Sequence, residues 1–74
     1  MDSNHGATRP CFTVNGQNVE VQANNMTELL AALGVDPATV VAEVNGTILP
    51  QDEWSTHALV DGDVIELVRF VGGG

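Results

Sequence analysis

Asp61-Gly62-Asp63-Val64-Ile65-Glu66-Leu67-Val68-Arg69-Phe70-Val71-Gly72-Gly73-Gly74 is the stretch on which the reading of this chain turns. Asp61-Gly62 marks a turn, and the run from Val64 to Val71 is apolar at nearly every position, which suits a strand in the middle of a sheet. That strand hands over directly to three glycines. Without a Cβ they do not clash with an enclosing channel, and they reach backbone conformations closed to other residues. Six extended residues from Arg69 to Gly74 span roughly 20 Å. The tail can therefore thread into a partner's active site, with Gly72 and Gly73 inside the channel and the carboxylate of Gly74 at its tip; a frayed, disordered terminus is the competing reading, and the strand directly before the tail favours the first.

Upstream of this strand the sequence supplies what would flank it. Phe12 and Val14 alternate with Thr13 and Asn15, and after Asn15-Gly16 the alternation resumes with Val19 and Val21, which predicts a β-hairpin. The period then changes. Met26, Leu29, Leu30 and Leu33 are spaced by three and four residues, on one face of a short helix. Asn25 suits its N-cap with Glu28 in the capping-box position, and Gly34 suits its left-handed C-terminal site. Val40 to Val44 reads as a strand, Asn45-Gly46 as a second hairpin turn, and Thr47-Ile48-Leu49 as a short return ended by Pro50. Gln51 to Leu59 reads as an irregular crossing anchored by Trp54 and Leu59. The order ββαβββ predicts an α+β chain of the β-grasp (ubiquitin-like) type, a mixed sheet of about five strands over one helix. Residues 1–10 are expected to be a polar, disordered extension, 11–71 the domain and 72–74 the tail.

Size and charge narrow the function classes. A chain of 74 residues supports one small core, and carving a cavity of several hundred Å³ from it for catalysis would leave little stability. A binding or carrier module is the expectation, not an enzyme. Ten Asp and Glu face two Arg and no Lys, a formal net charge of −8, so nucleic acid is a poor partner. The acidic surface suits steering towards an electropositive protein. A single cysteine, Cys11, cannot make an internal disulfide, so no oxidising compartment is implied. With no apolar run long enough for a membrane span and no signal-like start, a cytoplasmic location is expected.

Side-chain chemistry is sparse. Cys11 is expected to pack half-buried at the start of the first strand. His5 and His57 lie far apart with no array at metal-ligand spacing, so no metal site is expected. The pairs Asp52/Glu53 and Asp61/Asp63 flank turns and are expected to be solvated, which is unsuited to general acid–base work. The reactive group left over is the carboxylate of Gly74. It is a poor electrophile until another enzyme converts its oxygen into a leaving group, and glycine there leaves the acyl carbon unhindered.

Val14-Asn15-Gly16, Thr27-Glu28-Leu29-Leu30 with Leu33-Gly34, Val44-Asn45-Gly46 with Ile48 and Pro50, Trp54 after Asp52-Glu53, Leu59 with Asp61-Gly62-Asp63, and Val71-Gly72-Gly73-Gly74 appear in the order and spacing of one family. In these the chain resembles the ThiS sulfur carriers of thiamine biosynthesis, from Phe12 to the end. The resemblance implies a cycle in which a ThiF-like enzyme adenylates Gly74 with ATP and Mg²⁺, and a cysteine-derived persulfide supplies sulfur to leave a thiocarboxylate. A ThiG-like thiazole synthase would then receive the sulfur. No cofactor is expected on the carrier itself. Docking is expected on the sheet face away from the helix, through Phe70 and Val71 with Ile48 and Leu67 behind them. For Ile48 and Leu67 a core position fits the sequence equally well. A MoaD-like carrier serving molybdopterin, a protein modifier and a plain interaction domain are the alternatives.

Overall fold

A computed structural model describes residues 9–70 of the chain. Strands β1 (Cys11–Val14) and β2 (Gln17–Glu20) are followed by helix α1 (Met26–Leu33), then β3 (Val40–Val44), β4 (Thr47–Ile48) and β5 (Val64–Arg69). Both hairpins turn on the predicted Asn-Gly pairs. Asn15 and Asn45 take φ values of 49° and 52°, and Gly16 and Gly46 follow at 82° and 87°. Two consecutive left-handed residues make the tight turn whose twist matches that of paired strands.

The helix ends where its caps dictate. Asn25 Oδ1 accepts from the Glu28 N–H at 2.9 Å, while Glu28 Oε1 accepts from the Asn24 N–H at 2.8 Å, one residue earlier than a standard capping box. At the other end Gly34 is left-handed at φ 72°. Its N–H donates to Ala31 O, and the Val35 N–H donates to Leu30 O at 2.9 Å, which together form a Schellman stop. Eight residues of helix are not stable alone. Burial of Met26, Leu29 and Leu30 against the sheet holds it in place.

The strand order is β2-β1-β5-β3-β4. β5 lies in the middle, parallel to β1 and antiparallel to β3, with both hairpins flanking it as expected. Phe12, Val14, Val40, Ala42, Val44 and Ile65 face the helix and join its apolar side in one core. The apolar run of β5 has a different origin from the one its sequence suggests. Only one face of the strand is covered: Ile65 is buried, while Val64 and Val68 are exposed on the other side.

Smaller differences are local. Leu49 is buried but has left the strand, so β4 is shorter than expected. The crossing opens with a 3₁₀ turn at Gln51–Glu53, and a second one, at Pro37–Thr39, precedes β3. Trp54 anchors the crossing as expected, buried with its Nε1 donating to Leu49 O at 2.8 Å. Of the expected extension, residues 1–8 lie outside the described residues, as do Val71 and the glycine tail.

Candidate functional site

Because Ile65 turns inward, the period of two along β5 turns Val64, Glu66 and Val68 outward. The register of β3 brings matching residues beside them, with Val41 opposite Val68 and Glu43 opposite Glu66. β4 adds Ile48 beside Glu43. The face of the sheet away from α1 therefore carries several large apolar side chains, with Glu43 and Glu66 among them. Val41 is 39% exposed, Val64 42%, Val68 55% and Ile48 60%. Phe70, 51% exposed, follows at the end of β5. Exposed apolar side chains grouped on one face are characteristic of interaction surfaces.

The backbone at the end of β5 is held as well. The Phe70 N–H donates to Thr39 O at 3.1 Å, so the chain leaves the sheet alongside the start of β3. Next to it Val40, Ala42, Ile48, Leu49, Trp54 and Phe70 border an apolar cleft of about 370 Å³. Gln51 Nε2 reaches Pro37 O at 3.4 Å and ties together the two 3₁₀ turns that flank this cleft.

The structure separates the two residues whose placement was open. Ile48 is on the outer surface, whereas Leu67 is half-buried, inward, opposite Ala42 and packed against the core. Its main chain is also occupied: Asn15 Oδ1 accepts from the Leu67 N–H at 2.8 Å and Asn15 Nδ2 donates to Leu67 O at 3.2 Å. Phe70 is exposed next to Ile48 across the cleft. Val71, Gly72, Gly73 and Gly74 lie outside the described residues. Val41, Val64 and Val68 belong to the same outer face and were missed from sequence. Fixing Ile65 as inward would have found the two on β5 by alternation.

Two expectations for single side chains are corrected. Cys11 is exposed, because the buried Phe12 next to it takes the inward phase. Asp63 is buried, not solvated. Its Oδ1 accepts from Asn45 Nδ2 and its Oδ2 from the Val60 N–H, each at 2.9 Å, so both oxygens are engaged in holding the turn before β5. Asp61 is exposed and its Oδ1 accepts from the Cys11 N–H at 2.7 Å. His57 is exposed on the crossing. Among the described residues no group of three or more His, Cys, Asp or Glu is placed to hold a metal ion.

A β-grasp sheet with an apolar outer face, leading at Phe70 into a triple glycine, matches known proteins over nearly its whole length. The sequence profile of the ThiS family covers residues 7–74. The chain belongs to the ThiS family. It is 36% identical over 63 residues to the sulfur carrier protein ThiS of Bacillus subtilis, covering 82% of this chain and 96% of that one. A crystal structure of the thiamine biosynthesis protein ThiS from Geobacter metallireducens superimposes with a TM-score of 0.75 at 38% identity, over 86% of this chain and 99% of that one. A protein of Paramagnetospirillum magneticum named thiazole synthase is 40% identical over 64 residues, 85% of this chain. The chain spans only 20% of the length of that last relative. The ThiS protein of Bacillus subtilis is named a sulfur carrier, in agreement with the expectation of a carrier module. Among the described residues no helix is long and apolar enough to cross a membrane.

Proposed function

We propose that this ThiS family chain carries sulfur on the carboxyl group of Gly74 for construction of the thiamine thiazole ring. The family match supports this reading most directly, since it runs through the triple glycine to residue 74. A ThiF-like enzyme joins the Gly74 carboxylate to the α-phosphate of ATP, with Mg²⁺ on the phosphates, and releases pyrophosphate. The terminal sulfur of a cysteine-derived persulfide attacks the acyl carbon and AMP departs. A thiol then cleaves the sulfur–sulfur bond, which leaves the thiocarboxylate on the carrier. A ThiG-like thiazole synthase is the acceptor, a partner suggested by the relative that bears that name.

In this cycle the chain contributes position and one acyl carbon. Phe70 and Ile48, with Val71 beyond them and Leu67 supporting from the core side, meet the partner while Gly72 and Gly73 pass into its channel. Glycine at those positions presents little cross-section to a narrow channel. The test is an intact-mass measurement after incubation with a purified ThiF-like enzyme, ATP, a persulfide donor and a thiol. Exchange of one oxygen for one sulfur at Gly74 is the expected result. No exchange, under conditions that load a control carrier, overturns the proposal.

A further inference from the structure

The outward face of the sheet carries charge of one sign only. Glu66 on β5 stands directly opposite Glu43 on β3, with Ile48 on the far side of Glu43 and the Val41–Val68 pair next along the strands. Glu66 is exposed and Glu43 half-buried. Among the described residues no cation is paired across the sheet with either of them. There is no lysine, Arg69 is exposed but takes the opposite phase, paired with Val40, and Arg9 precedes β1, whose register with β5 begins at Thr13 opposite Val64, so it lies towards the far end of β5 from Glu66. Like charges directly opposite one another destabilise a sheet.

Covering this face sharpens the problem. A partner that buries Val41, Val68 and Ile48 also removes water from the two carboxylates between them, and burying charge without compensation is strongly unfavourable. Whatever docks here must bring a positive charge to that spot. A guanidinium suits it better than an ammonium, because its planar fork of five N–H donors can serve two neighbouring carboxylates at once. We propose that the outward sheet face docks the adenylating enzyme through an arginine of that enzyme held between Glu43 and Glu66. The face is continuous along β5 with Phe70, where the chain leaves towards Gly74, so the enzyme that receives the tail lies over this pair. This inference rests on the carrier reading of Gly74.

Replacing both residues, Glu43→Gln with Glu66→Gln, removes the charge and keeps the shape. Thermal unfolding of the isolated chain and sulfur loading by the purified ThiF-like enzyme, followed by intact mass against carrier concentration, are then compared with the unaltered protein. The melting temperature is expected to stay level or rise. The KM for the carrier is expected to rise on the order of tenfold or more, with kcat retained and with a weaker dependence of kcat/KM on salt. Glu43→Lys alone provides a second variant that turns the repulsion into a cross-strand pair with Glu66, and it is expected to melt higher and load worse. An unchanged KM, a lower melting temperature in the Gln variant, or a defect confined to transfer onto the thiazole synthase overturns the inference. Failure of the unaltered chain to load would overturn the carrier reading and this inference with it, whereas normal loading with unchanged KM in the variants overturns this inference alone.

Discussion

Asn45 ties two parts of the chain together with a single amide. Its left-handed backbone makes the β3–β4 turn, while its side chain donates to Asp63 and accepts from the Val64 N–H at 2.9 Å, which sets the start of β5. Asn15 is its counterpart on the other side, where β1 ends and the side chain continues the ladder to Leu67. The two differ in what a truncation strands. Asn45→Ala leaves an oxygen of the buried Asp63 without its donor, so a loss of about 1–3 kcal/mol is expected in urea denaturation. Asn15→Ala exposes its partner groups to water, and a smaller loss, roughly 0.5–1.5 kcal/mol, is expected.

At the scale of elements, the helix and the outer sheet face predict opposite behaviour. Leu30→Ala empties a site in the middle of the α1–sheet contact, where Leu30 is fully buried. It is expected to cost about 2–5 kcal/mol in the same denaturation experiment. Ile48→Gln and Phe70→Asp change exposed side chains, so a stability within about 0.5 kcal/mol of the original is expected. On the proposed carrier role, their effect should appear in weaker binding to a ThiF-like enzyme, measured by calorimetry. Much of this architecture could be read before the structure because its signals are local. Asn-Gly pairs select tight hairpins, and Asn25, Glu28 and Gly34 delimit the helix within a few residues of chain. The 3₁₀ turn at Pro37–Thr39 had a local signal too, with Asp36 Oδ1 accepting from the Ala38 N–H ahead of it, and it was overlooked. What sequence did not separate was Ile48 from Leu67. On β5 the outward Val64 and Val68 are as apolar as the inward Ile65 and Leu67, so periodicity there is silent, and pairing with a strand more than twenty positions upstream decides the phase. The burial of Asp63 was hidden for the same reason, since its partner Asn45 is 18 residues away.

On the scale of the whole molecule, body and tail are expected to be separable. The core closes within the described residues, from Phe12 to Ile65. Deletion of Gly74 should leave the melting temperature unchanged and abolish sulfur loading, read by calorimetry and intact mass; loading that survives the deletion would place the acceptor elsewhere. The sheet also gives the molecule a direction of pull. β1 and β5 are parallel neighbours, and the chain comes into β1 at one end of the sheet, where the Cys11 N–H meets Asp61, and leaves β5 at the other. A force drawing Phe70 away from Arg9 therefore acts along both strands. It loads the bonds from the Thr13 and Asn15 N–H groups to Asp63 O and Ile65 O together with those of the Asn15 side chain, all at once and in shear, instead of opening them one after another like a zip. Tension between Arg9 and the end of β5 thus meets the fold in a direction in which several bonds must break together.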